Sequence, residues 1–241
     1  MNLSKKVISL ICLTSLMLGF NSSSKSSLAY NDSNLCSIDF DYYSKNTVIE
    51  QTIVKSSTSI NVDNSQREQI LLKEKEKIRK QSVDYSRDDM TLVSGITEKE
   101  LNNVFMNYTG ASTMAHLSGA IVDAEKKYGV NAFTMAAIVA LESGFATSRR
   151  AVEDNNLTGY EVYSDDSDGH LFSSQYESVV QTARHLSKNY LSKSGPYYLG
   201  VAVDDVQINY CPDEGKGKNW DGKVDKLASG FLKTYKNLYL K

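Results

Sequence analysis

Between Tyr30 and Ser94 the chain contains neither glycine nor proline, and its 241 residues include 2 prolines, 3 cysteines, 3 histidines and 1 tryptophan. Each scarcity narrows what the protein can be. Cys12 lies inside an N-terminal apolar run, so Cys36 and Cys211 remain as one possible pair, whose separation the sequence does not show. A cysteine nucleophile at Cys211, with His170 or His185 as base, lacks any recognisable peptidase signature, and Pro212 follows it directly. His116, His170 and His185 form no helical pair with a glutamate and no cluster with cysteine, so no metal is implied. Asp165-Asp166-Ser167-Asp168-Gly169 hints at a calcium loop, but its twelfth position is Gln175, where a bidentate glutamate is needed. Basic charge is also lacking. The 27 Lys and Arg are outnumbered by 29 Asp and Glu, and no basic patch interleaves with aromatics, which argues against nucleic acid as a partner.

What is present begins at the N-terminus. Lys5 and Lys6 precede an apolar run from Val7 to Phe20, and Ser27-Leu28-Ala29 offers small residues for cleavage. Residues 1–29 are therefore expected to be a signal peptide, with an uncleaved anchor as the alternative and no integral membrane span in the mature chain. Loss of Lys5, Lys6 and Lys25 takes the formal charge from −2 to −5. Residues 30–94 read as a Ser/Asn/Lys-rich spacer with one charged helix over Gln66–Gln81, whose apolar stripe is too thin for a core. A packed domain is expected over 95–241. Thr97-Glu98-Lys99-Glu100 has capping-box form, and helices follow through Leu101–Phe105, Leu117–Tyr128, Val179–Tyr190 and Val224–Leu238. Leu157–Leu171 reads as a short hairpin or loop.

The most informative stretch is Val130 to Gly144. From Ala132 to Leu141 nearly every residue is apolar or small, which predicts a helix buried on all sides, N-capped by Asn131 and ended by Gly144 in a left-handed turn. Glu142 stands in its last turn. Partial burial and the negative end of the helix dipole both disfavour its charged form, as a general acid near neutrality requires. A surface glutamate in a frayed turn fits the periodicity equally well. Glu177 is a second attractive carboxylate, but Ser174-Gln175-Tyr176-Glu177 also has capping-box form.

Motifs beyond Glu142 separate these readings. Glu142-Ser143-Gly144-Phe145-Ala146-Thr147-Ser148, Ala151 and Asn155-Asn156-Leu157-Thr158-Gly159-Tyr160 resemble the pattern E-S-G-x-G-x-S…A…N-N-x-x-G of the bacterial autolysin endo-β-N-acetylglucosaminidases (glycoside hydrolase family 73, lysozyme-like superfamily). Phe172–Ser178, Tyr190-Leu191 with Tyr197–Gly200, and Asn209-Tyr210-Cys211 followed by Trp220 and Val224 extend the resemblance in order. Ala146 departs from it, standing where the family has a second glycine.

The resemblance implies a mainly α, lysozyme-like α+β domain with a minor β-hairpin or loop lobe beside the cleft. It implies a secreted cell-wall hydrolase that cuts the β-1,4 bond after N-acetylglucosamine in peptidoglycan, as a monomer and without a cofactor. Glu142 would be the general acid. The second carboxylate would come from the following loop, as Asp166, with Glu161, Asp165 and Asp168 as alternatives, unless the substrate's 2-acetamido oxygen attacks instead. Tyr210 would then hold the acetamido group or the developing charge. Phe145, Asn156, Tyr160, Tyr163 and Trp220 are the expected substrate-binding residues, although the Asn155-Asn156 pair can equally fix the turn that closes the cleft. A lytic transglycosylase, a muramidase and an inactive glycan-binding protein are the alternatives on the same scaffold.

Overall fold

The structure is a computed structural model and describes residues 64–162, 169–212 and 219–241. The expected signal peptide, Cys36 and the spacer up to residue 63 lie outside the described residues.

The order of elements follows local rules closely. Helix α1 (Asn64–Ser82) occupies the charged stretch expected to be helical and shows most of its surface to solvent. Helix α2 (Glu98–Asn107) starts on the expected capping box, with both Thr97 and Glu100 engaged. A 3₁₀ turn (Ser112–Leu117) leads into α3 (Ser118–Tyr128), which ends where Gly129 takes φ 65°. Helix α4 (Ala132–Ser143) is the buried helix, with Asn131 Oδ1 accepting from the amides of Phe133 and Thr134. The short α5 (Arg149–Glu153) follows, then α6 (Gln175–Leu186), which runs into a π-turn over Ser187–Leu191. Helix α7 (Val203–Tyr210) was not expected, and α8 (Trp220–Tyr239) closes the chain.

α4 is the hub. It packs on α8 and α3, and its residues from Ala132 to Ala140 are all buried. α8 also lies against α2, where Phe231 meets Phe105 and Tyr108 edge-on at 5.4 and 4.7 Å between ring centres. At an order of 1.5–3 kcal/mol for each large apolar side chain fully buried, this layer is the main source of stability.

Two features are set by more than local pattern. Within residues 30–94, the stretch read as a spacer, Val83, Tyr85, Met90 and Ser94 are buried. Their spacing follows no helical or strand period, so nothing local marks them as core. They are held instead by long-range backbone bonds: Met90 N–H to Val201 O at 2.8 Å, Asn131 N–H to Met90 O at 2.8 Å, and Val203 N–H to Arg87 O at 2.9 Å. The end of α1 is docked too, through an Arg79 fork onto the buried Glu100 at 2.6 and 3.0 Å. The second is the stretch Leu157–Leu171, read as a short hairpin or loop. Among the described residues no strand forms, and an isolated bridge joins Ser86 and Asp89. The described residues of that stretch make turns, closed by Val162 N–H to Gly159 O and His170 N–H to Tyr160 O, both 3.1 Å.

Candidate active site

Glu142 is placed by the two ends of α4. At the N-terminus, Asn131 caps the helix and its Nδ2 donates to the carbonyls of Asp84 and Leu92. The carboxylate of Glu125 on α3 accepts there as well, from the amides of Ala132 (2.7 Å) and Ser94 (2.8 Å), which anchors the helix start at a favourable place for negative charge. Glu125 is buried, and burial raises its pKa.

The C-terminal turn is left-handed over three residues, Gly144 (φ 57°), Phe145 (φ 59°) and Ala146 (φ 63°). For residues with a Cβ this conformation costs roughly 1–2 kcal/mol each. Side chains stabilise it. Ser143 Oγ donates to Val139 O at 2.5 Å and accepts from the Ala146 amide at 2.7 Å, while Thr113 Oγ1 donates to Phe145 O at 2.6 Å. Thus Ala146 occupies the backbone conformation that a glycine would adopt freely, and the turn is intact without it.

Glu142 itself is reachable by solvent, yet protein crowds its carboxyl and this desolvation raises its pKa above the usual glutamate value. Two neighbours act in the opposite direction. Trp220 Nε1–H donates to Glu142 Oε1 at 2.7 Å, and the positive charge of Lys223, one turn further along α8, favours the carboxylate. Trp220 is among the expected substrate-binding residues, where an exposed indole would serve as a sugar platform. It is 3% exposed, so its face is committed to packing and its N–H to holding the acid. Tyr210, at the end of α7, lies against it with ring centres 5.2 Å apart. Burial pushes the Tyr210 phenol well above its usual pKa, and the nearby charge of Glu142 adds to this, so the phenol stays protonated and able to donate.

From Tyr210 the aromatic residues continue without a break. Tyr190 meets Tyr210 edge-on at 5.6 Å, His185 lies 5.6 Å from Tyr190, and Tyr160 stands perpendicular to His185 at 5.3 Å. Tyr160 is thus joined to Glu142 by a continuous set of rings. Beside it, Glu161 has φ 57°, and its carboxylate lies 3.3 Å from His170 Nδ1. Glu161 is therefore engaged with His170 at the far end of that row, while the charged neighbour acting on Glu142 is Lys223. Tyr163, Asp165, Asp166 and Asp168 lie outside the described residues.

Other expected residues take structural places. Asn156 is 2% exposed; its Nδ2 donates to the carbonyls of Tyr160 and His170 and its Oδ1 accepts from the Tyr160 amide. In this structure that amide holds the turn, the second of the two roles expected for the Asn155-Asn156 pair. Asn155 has φ 55° and donates to Phe172 O. Phe145 is partly buried against the core. Glu177 accepts from Ser173 Oγ and the Ser173 amide while Ser174 Oγ accepts from the Glu177 amide, so both residues serve the start of α6. Among the described residues no group of three or more His, Cys, Asp or Glu could hold a metal ion, and no helix is long and apolar enough to cross a membrane.

The bond from Trp220 to Glu142 is what the sequence reading missed, although both Trp220 and Lys223 stand in the W-x-x-K-V stretch at the close of the pattern. The spacing marked the residues, but only the fold brings positions 142 and 220 together.

Residues 118–230 match the family model described as glucosaminidase, mannosyl-glycoprotein endo-beta-N-acetylglucosaminidase. Two proteins of Streptococcus pneumoniae, one from serotype 4 strain TIGR4 and one from strain R6, are each named "Putative endo-beta-N-acetylglucosaminidase". Each is 26% identical over 155 residues, covering 62% of this chain and 22% or 21% of the relative, so the chain spans about a fifth of their length. Among solved structures, a catalytic mutant of Staphylococcus aureus autolysin E with the disaccharide NAG-NAM aligns with TM-score 0.48 and 15% identity, over 68% of this chain and 79% of the other. Autolysin E with the muropeptide NAM-L-Ala-D-iGlu aligns with TM-score 0.47 and 16% identity, over 68% and 78%.

Proposed function

Residues 118–230 match the glucosaminidase family model, and from that premise we propose that the protein is a peptidoglycan hydrolase that cuts the β-1,4 bond on the reducing side of N-acetylglucosamine, with Glu142 as the general acid. The observation that carries this reading is the state of Glu142. Its carboxyl is partly desolvated, opens to solvent at the end of a buried helix, and is oriented by one N–H donor. A glycosidase acid must hold a proton and deliver it to a bridging oxygen from a fixed position; desolvation moves Glu142 in the direction this needs, and the Trp220 N–H fixes its place.

In the proposed reaction Glu142 protonates the glycosidic oxygen as the C1–O bond breaks, and the substrate's 2-acetamido oxygen bonds to C1. Water then opens that ring, and Glu142 recovers the proton. Tyr210, protonated and packed at a tilt against Trp220, is suited to donate to the acetamido group or to oxygen that gains negative charge. The engagement of Glu161 with His170 favours this route over Glu161 as the covalent partner. Export through residues 1–29 and action as a monomer on cell-wall glycan complete the proposal.

The test is the chemistry of the new ends. Digested peptidoglycan reduced with borohydride should yield glucosaminitol. Muramitol would make the enzyme a muramidase, anhydro-muramic ends a transglycosylase, and no new ends would leave a glycan-binding protein.

A further inference from the structure

The contact between Trp220 and Glu142 depends on where α8 starts relative to α7. α8 starts without help from its own N-cap, since the Asn219 side chain caps none of its amides and the Asn219 backbone is left-handed at φ 59°. The first turn is held from outside. Gln207 Oε1 of α7 accepts from the Asp221 amide at 2.7 Å.

Arg87 adds a second and wider link. Its carbonyl accepts from the Val203 amide at the first residue of α7, and its Nε donates to Asp204 Oδ1 at 2.8 Å. One terminal nitrogen donates to Asp221, the neighbour of Trp220, and the other lies 3.6 Å from Asp225 Oδ2. Asp225 is itself held by the Tyr85 hydroxyl at 3.0 Å. A planar guanidinium can serve three carboxylates at fixed angles, which an ammonium cannot. Arg87 also lies outside the stretch that matches the family, 118–230.

We propose that Arg87 is a positioning residue for Glu142: it clasps α7 to the first turn of α8 and so keeps the Trp220 indole within hydrogen-bonding distance of the carboxyl, with Tyr210 packed against it. The geometry stands by itself, and the proposal rests on the hydrolase reading only where activity is the readout.

The groups around the acid set the sign of the effect. Trp220 and Lys223 face Glu142 from α8 and Tyr210 from α7, while Tyr85, Asp204, Asp221 and Asp225 surround Arg87. Arg87 stays charged throughout the working range, so it does not titrate itself. Releasing the indole removes a donor that favours the carboxylate. Glu142 then holds its proton to higher pH.

Trp220 is the single tryptophan of the chain, so its emission reports on this contact without turnover. In the full-length protein, emission should change as Glu142 titrates, and Glu142→Gln should remove that change. Arg87→Ala should cut its amplitude at least twofold at unchanged far-UV circular dichroism, with Arg87→Lys between the two. On peptidoglycan the alkaline limb of the pH–rate profile should move up in Arg87→Ala, by up to about two pH units, the most that losing one charge-assisted bond allows. An emission titration in Arg87→Ala equal to wild type overturns the proposal, as does a wild-type titration that survives Glu142→Gln. If Arg87→Ala does not fold, Asp204→Asn cuts the most exposed arm alone; a smaller loss of amplitude supports the clasp and an unchanged titration overturns it. Wild-type protein without hydrolytic activity would sink the proposed function and leave the emission result to decide the role of Arg87.

Discussion

Replacing Asn131 by alanine tests whether the chain before residue 95 is part of the domain. The Asn131 side chain is fully buried and makes four hydrogen bonds. Oδ1 accepts from the amides of Phe133 at 3.0 Å and Thr134 at 3.2 Å; Nδ2 donates to Leu92 O at 2.6 Å and Asp84 O at 3.2 Å. Losing a helix N-cap costs about 0.5–2 kcal/mol. Each carbonyl left without its donor adds roughly 1–3 kcal/mol, toward the lower end here because Asp84 is exposed and Leu92 half-buried, so water can take the place of the lost donor. The sum is about 3–4 kcal/mol, a large fraction of the roughly 5–15 kcal/mol that holds an ordinary domain together. The backbone bond from Asn131 N–H to Met90 O survives the change. Urea unfolding followed by circular dichroism measures the loss, and a domain of this size should also melt on the order of 10 °C lower. Asn131→Ser keeps a capping oxygen and removes the two donors, so it should show about half the loss. A cost below about 1 kcal/mol for Asn131→Ala would refute the argument, because it would mean that residues 83–94 do not lean on the start of α4.

Three further outcomes are expected. Glu142→Gln should keep the circular dichroism spectrum and lower the rate of wall clearing by ~10²–10⁴-fold, the usual worth of general acid catalysis; clearing at the wild-type rate would remove Glu142 from the acid role. Trp220→Phe should move the alkaline limb of the pH–rate profile up by about one unit, because the lost N–H had stabilised the ionised carboxyl and activity persists until the proton leaves; a downward move would show the sign to be wrong. Ala146→Gly, at φ 63°, should raise stability by up to about 1 kcal/mol in urea, the relief of left-handed strain less the extra freedom of glycine when unfolded; a clear loss would mean that the alanine methyl packs better than the turn suffers.

How much was legible beforehand differs with the range of the interaction. A helix that must be buried all round announces itself by composition, and its ends by Asn131 and Gly144, because capping acts within three or four residues. The same holds for the capping box at Thr97 and the left-handed end of α3 at Gly129. α7 was not legible. It has 8 residues lying between Gly200 and Pro212, a span too short to show a period, and it starts through Asp205 reaching back to the Ala202 amide at 3.2 Å. The burial within residues 83–94 was not legible either, because the backbone partners of that stretch lie in distant parts of the chain.

The sequence by itself determined the helical character of the domain, the buried helix and the carboxylate at its end, since periodicity, caps and motif spacing are all properties of neighbouring residues. Only the tertiary structure decided what surrounds that carboxylate. Trp220 lies 78 positions from Glu142, and Arg87 reaches across more than a hundred residues to α7 and α8. The choice between a sugar platform and a buried donor for one tryptophan rests on which face is covered. That is settled by how α4, α7 and α8 pack together, because burial and hydrogen-bond distance belong to pairs of surfaces and are written in no local pattern.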